Sequence, residues 1–430
     1  MILRSRRVVA PDGVRAATIH IDGEHIERIG DYADPADVDY GEFVIMPGLV
    51  DSHVHVNEPG RTEWEGFESA TRAAAAGGVT TIVDMPLNSI PPTISVDALR
   101  AKVEAMRGKC WVDVGLWGGA VPDNAAQLQP MLREGALGFK CFLIDSGVAE
   151  FGFLDPLGLE AALRELRDTG APLLVHAELP QYIGSAAGAS YRAYLNSRPA
   201  QAEDAAIDAV HDAVQRTGTR AHIVHLSSAS ALATILKARD RHIPMTAETT
   251  PHYLHFEAEK IPDGAPQYKC APPIRDHANR EQLWRGIDDE LLAGIVSDHS
   301  PCTPELKRLN DGNVERAWGG ISSLQFGLPI IWSSERLTLE RIARLMCEGP
   351  ASIAGIRKGA IKPGYDADLV IWSPEESFRV TPDIVQHRHK ITPYGGEQLR
   401  GVVKTTYLRG QKVWQDGRTI GSPSGRWIRR

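Results

Sequence analysis

Apolar positions in the middle of the chain fall in short runs separated by longer stretches of helical spacing. The runs cover residues 49–55, 80–85, 112–117, 138–143, 172–177, 221–226, 245–250 and 295–299. The stretch 199–215 is representative of what lies between them. There Ile207, Val210 and Val214 recur at helical spacing amid Glu203, Asp204 and Asp208. Eight apolar runs alternating with helices predict a parallel (β/α)8 barrel of the TIM type. The two ends read differently. Ile19, His20 and Ile21 precede an Asp22-Gly23 turn, and Ile26 and Ile29 follow it. Residues 368–372 and 401–408 read as strands, with turns at Arg409-Gly410 and Asp416-Gly417. Residues 1–10 read as an edge strand. Both ends are thus β-rich, and lying on either side of a barrel they can pair. The expected organisation is a barrel over 49–357 and a small β-sandwich built from 1–48 and 358–430.

A strand buried in a parallel barrel should be nearly all apolar. Five of these runs are not, and the exceptions sit near their C-terminal ends: His53 and His55, Lys140, His176, His225, and Asp298. That end of a barrel is where active sites form. His53 and His55 are two apart, so on a strand both side chains point to one side, as a metal chelate requires. The pair alone reads equally well as a hydrogen-bonded core residue beside an accidental neighbour, and His176 or His225 alone reads more readily as a satisfied structural histidine. His222, three before His225, has odd separation and is expected to face the helices. Lys140 changes the weighting, because a lysine in an apolar strand is costly unless paired or altered. It reads as a buried salt bridge, a Schiff-base amine, or a metal ligand after carbamylation by CO2. Asp298 completes a nitrogen and oxygen donor set suited to zinc or a similar divalent ion.

Composition narrows the field. The chain has 430 residues, with 47 Lys+Arg against 55 Asp+Glu, a formal charge of −8. A broad phosphate-neutralising surface does not arise from that balance, so no nucleic-acid partner is expected. No run is long and apolar enough to span a bilayer, and no apolar core follows Arg4, Arg6 and Arg7 as a secretory signal needs. The five cysteines, Cys110, Cys141, Cys270, Cys302 and Cys347, form no C-x-x-C pair. A reducing cytoplasm is the expected compartment, and neither a disulfide framework nor a zinc ribbon is indicated. Cys141 alternates away from Lys140 and reads as core.

The opening His53-Val54-His55, the lone Lys140, His176, His225 and Asp298 together resemble the amidohydrolase superfamily. Within it they resemble the cyclic-amidase branch of dihydroorotases, hydantoinases and allantoinases. Residues 359–370 look like that family's return into its small β domain. Longer strings at 57–66, 84–88, 138–142, 269–276, 297–302 and 317–321 are most similar to the allantoinases. Dihydroorotases usually carry His-x-His-x-Arg, whose arginine holds a substrate carboxylate. Here that position is Asn57, a neutral amide that cannot supply charge-assisted bidentate pairing. Hydantoinases typically carry a tyrosine a few residues after the lysine, and none occurs in residues 141–146.

The resemblance implies a binuclear metal hydrolase acting on a small cyclic amide, allantoin, with allantoate as product. It implies two divalent ions, zinc first with manganese or cobalt as substitutes. His53, His55 and Asp298 are expected at one ion, His176 and His225 at the other. A CO2-derived carbamate on Lys140 and a hydroxide are expected to bridge them, with Asp298 as general acid and base. Asn88, Ala271 and Gly319 match positions near the substrate, although Asn88 after Pro86 reads equally as a turn residue. Arg61 and Glu65 are expected to cap or brace the helix after the first strand. A homotetramer is implied by analogy. Hydantoinase, dihydropyrimidinase or dihydroorotase activity is the nearest alternative. A non-catalytic dihydropyrimidinase-like scaffold is a remoter one.

Overall fold

The two β-rich ends pair with each other in the computed structural model, which describes residues 1–430. Ile2–Ala10, Gly13–Asp22 and His25–Gly30 form an antiparallel meander. Val44–Pro47 joins the other side of Ile2–Ala10 in parallel. It then pairs antiparallel with Leu369–Arg379 from the far end of the chain, placing Ile45 opposite Ile371. Gln398–Leu408, Gln411–Gln415 and Arg418–Thr419 extend it, and the short Val38–Asp39 beside Ile2–Ala10 completes a nine-stranded sheet. Ile2–Ala10 therefore lies inside the sheet rather than at its edge, because Val44–Pro47 occupies the side expected to be free. The hairpin at Arg409-Gly410 has φ 46° and 75° at its two central residues, the left-handed pair that matches strand twist. Leu3, Ile19, Ile45, Leu369, Ile371 and Tyr407 build a core of their own from both ends of the chain.

All eight predicted runs overlap barrel strands, the last by Ile295 alone. Those strands are Leu49–Val54, Val79–Asp84, Asp113–Leu116, Phe139–Phe142, Leu173–His176, Ala221–Ile223, Met245–Thr249 and Gly294–Ile295. Neighbours pair in parallel. The ring closes where Val54 bridges His299 and the His55 amide donates to the His299 carbonyl at 2.8 Å. The helix predicted at 199–215 is Ala200–Thr217, with Ile207, Val210 and Val214 buried against the strands. The fold is thus a (β/α)8 barrel with a small β-sandwich formed by both chain ends.

Two features tie the parts together. The Lys358 ammonium lies 2.7, 2.7 and 2.6 Å from the carboxylates of Asp113, Asp366 and Asp368. Asp113 belongs to the third barrel strand and the other two precede Leu369–Arg379, so one buried cation joins the barrel to the sheet. The third barrel strand is also split. Gly118–Gly119, beyond Trp117, pairs with Phe139–Phe142, whereas the lower part, Asp113–Leu116, pairs with Trp427–Ile428. The Gly425 amide donates to the Cys110 carbonyl at 2.8 Å, and the Arg426 amide to Asp113 Oδ1 at 2.8 Å.

Candidate metal centre

The six residues expected as ligands line one cavity of about 530 Å³ at the C-terminal ends of the strands. Asn88, Ala271 and Gly319 line the same cavity. His53, Lys140 and His176 lie on their strands, and His55 is one residue past its own. His225 and Asp298 fall beyond the last strand residues, Ile223 and Ile295. Their φ values are 39° and 45°. A left-handed residue other than glycine costs about 1–2 kcal/mol, and here it swings each side chain into the cavity as the strand ends.

Asp298 Oδ1 lies 3.1 Å from His53 Nε2 and 3.6 Å from His55 Nε2. One ligand atom from each of these three residues falls within 4.8 Å of the others. The far side of the His53 ring fixes its tautomer. Its Nδ1–H donates to Glu248 Oε1 at 2.8 Å, which leaves the Nε2 lone pair facing the cavity. That Nε2 is buried and has no hydrogen-bond partner, since the nearby Asp298 oxygen is out of line. His176 is arranged likewise. Its Nε2–H donates to Glu178 Oε2 at 2.8 Å, and its Nδ1 faces His225 Nε2 at 3.0 Å. Phe142 stacks on the His176 ring, with centroids 4.6 Å apart.

Charge follows burial. His53, His176 and His225 are all pushed below the ordinary imidazole range by burial; positive neighbours including Lys140 add to it at His53 and His225, and Glu178 opposes it at His176. Neutral imidazole is the form that binds a metal. Burial alone would raise Glu178, but the Arg198 guanidinium at 2.6 Å and His176 hold it down to about 2. Lys140 is only 1% exposed and makes no ion pair. Burial pushes it down to about 8 against the pull of Asp298 and Glu248. An orphaned ring nitrogen, neutral imidazoles oriented by buried carboxylates and an adjacent aspartate fit a divalent ion of the zinc type.

His222 and Glu65 depart from their expected places, and three further residues of the site carry no signal in the sequence. His222 does not face the helices. It is fully buried, with Nε2 3.1 Å from Glu248 Oε2, so it shares with His53 a carboxylate inside the barrel. The odd spacing from His225 misleads because the strand ends at Ile223 and the alternation stops there. Glu248, Glu178 and Arg198 carry no local signal, since their partners come from other strands and loops. Asn88 has φ 68°, as its turn reading expects, and its side chain lines the cavity. Its Nδ2 donates to Asn57 Oδ1 at 3.0 Å, and its Oδ1 is buried without a partner. Glu65 does not cap the following helix, whose Phe67 amide donates to Glu58 Oε2 at 2.9 Å; it accepts from the Arg388 amide instead. Arg61 donates to the Asn88 carbonyl at 2.9 Å.

Residues 44–413 match the amidohydrolase family. The chain belongs to that family. Among curated amidohydrolases it is 46% identical to the allantoinase of Streptomyces avermitilis, over all of this chain and 98% of that one. It is 43% identical to the allantoinase of Arabidopsis thaliana, over 98% of this chain and 90% of that one. Among solved structures it superposes on the L-hydantoinase (dihydropyrimidinase) of Arthrobacter aurescens with a TM-score of 0.93 and 29% identity, covering 100% and 99% of the two chains. No helix of this amidohydrolase is long and apolar enough to cross a membrane.

Proposed function

We propose that the protein is a metal-dependent cyclic amidase that opens the hydantoin ring of allantoin to allantoate. The observation that carries this reading is full-length identity of 46% and 43% to allantoinases of a bacterium and a plant, against 29% to a hydantoinase of the same fold. A local observation supports it. Asn57 is fully buried and donates to the Pro301 carbonyl at 3.2 Å. The position therefore offers no cation to a ring carboxylate, which disfavours dihydroorotate.

His53, His55 and Asp298 would hold one divalent ion in this reading, His176 and His225 would hold a second, and Lys140 as its carbamate would complete the donor set. A lysine pushed to about 8 keeps a useful fraction of neutral amine, the form that captures CO2. Zinc suits the donors best, with manganese or cobalt as substitutes. Two such ions bound there would supply a hydroxide at neutral pH and polarise a carbonyl. The chain's own residues do the rest. Glu248 and Glu178 fix the two histidine tautomers. Asp298 Oδ1 lies against His53 and His55, which leaves Oδ2 to take the proton from water and deliver it to the ring nitrogen as the C–N bond breaks. All five cysteines are buried and free, which supports a reducing compartment such as the cytoplasm.

Purified enzyme offered allantoin, hydantoin, dihydrouracil and dihydroorotate tests the reading, with metal measured on the same sample. The expected result is about two divalent ions per chain, with kcat/KM highest for allantoin. Loaded enzyme that leaves allantoin intact overturns the reading, and a freshly purified metal-free protein returns the scaffold alternative. Glu178→Gln is expected to weaken metal binding about 10–100-fold with the fold intact, because the amide no longer fixes the His176 tautomer. Competition with a chromophoric chelator reads this directly.

A further inference from the structure

Two lysines outside the ligand set grip the cavity wall that carries Gly319 and Ala271. Lys307 is 3% exposed. Its ammonium donates to the carbonyls of Lys269 at 3.0 Å and Trp318 at 2.9 Å, and to that of Gly320. Three donors on one nitrogen meet three carbonyls, with no carboxylate in the cradle. Lys269 grips the same segment from the other side. Its ammonium donates to the carbonyls of Glu315 at 2.7 Å and Ala317 at 2.8 Å, and it sits over the Tyr194 ring. A buried ammonium is costly, so three carbonyls turned inward are a built feature rather than a loop accident.

The grip sets the direction of the intervening peptides. In a trans peptide the C=O and the following N–H point opposite ways. The Trp318 carbonyl is turned to Lys307, so the Gly319 amide points away from it. The Gly320 amide donates to the Lys269 carbonyl at 2.9 Å, so the Gly319 carbonyl points away from Lys269. The Cys270 carbonyl accepts from Tyr194 Oη at 2.7 Å, which turns the Ala271 amide away from that hydroxyl. None of these three groups, the Gly319 amide and carbonyl and the Ala271 amide, makes a backbone hydrogen bond within the protein. Both residues line the cavity. A cyclic amide presents a matching edge of alternating C=O and N–H.

We propose that Lys307 and Lys269 are positioning residues that aim the Gly319 and Ala271 backbone at the amide edge of the bound ring. The assignment rests on the cyclic-amidase reading above. Lysine is suited to the task because its ammonium binds several carbonyls without competing as an acceptor. Neither lysine touches a metal ligand, so their loss acts on ring binding rather than on the ions.

Steady-state kinetics with allantoin on metal-loaded Lys307→Met and Lys269→Met, with metal content and circular dichroism on the same samples, test this. KM is expected to rise about tenfold in K307M and about threefold in K269M, because a displaced wall weakens ring binding. Metal content stays at the wild-type level, and kcat changes by less than about threefold. A purely structural role lowers the active fraction, and so the apparent kcat, without moving KM. If K307M does not fold, K269M decides, since its lysine is only half-buried. Wild-type KM in folded variants overturns the assignment alone. Wild-type enzyme that opens no allantoin overturns the functional reading, and the assignment falls with it.

Discussion

Asp298→Asn is expected to keep its fold and lose about a thousandfold or more in kcat, at the upper end of what a positioned acid and base contributes. The backbone argument is favourable. Asp298 has φ 45°, and asparagine is among the few residues that tolerate the left-handed region. The shape of the side chain is also preserved. What is lost is the anion between His53 and His55 and the oxygen that accepts a proton. The measurement is kcat for allantoin at saturating metal, with the thermal midpoint of the same sample. Near-wild-type turnover would sink the role given to Asp298.

Lys140→Met should abolish turnover and yet stabilise the metal-free protein. The two effects have opposite signs because one lysine serves two states. In the metal-free chain the ammonium is 1% exposed with no ion pair, and Asp298 and Glu248 do not offset its burial. Methionine fills similar space without a charge. The expected gain is about 1–3 kcal/mol at neutral pH, on the scale of other buried charges replaced by apolar groups. Its pH dependence follows from linkage. The folded lysine titrates at about 8 and its reference value is 10.5, so the unfolded chain binds more protons between them. Wild-type stability therefore rises across that window and the advantage of K140M shrinks. Thermal melts in chelator and in zinc separate the states. A K140M protein that is active, or less stable than wild type in chelator, would contradict this account.

Much of the architecture is legible in the sequence because a barrel repeats one rule. Each run such as 172–177 is apolar until its end, and the end is where the polar residue stands. His53, His55 and His176 follow that rule, whereas Lys140 stands earlier, second of the four residues of Phe139–Phe142. His225 and Asp298 follow it loosely, since the chain leaves the strand two and three residues earlier and turns left-handed. The same turn defeats the alternation argument for His222. The carboxylates that orient the rings are illegible for a different reason. Glu248 lies 195 residues from His53, and nothing near either residue announces the other. The edge placement of residues 1–10 fails likewise, because Val44–Pro47 reaches it through space and not through a hairpin.

The seam between Asp113–Leu116 and Trp427–Ile428 bears on how the chain matures at the ribosome. Arg426 contacts Asp113 across 313 residues of sequence. A growing chain can assemble the ring of strands while that lower edge still lacks its neighbour. Bare strand edges template association with other chains. The newborn protein therefore passes through a stage when it is nearly built and still adhesive. The same seam lies at the floor of the barrel, away from the cavity mouth.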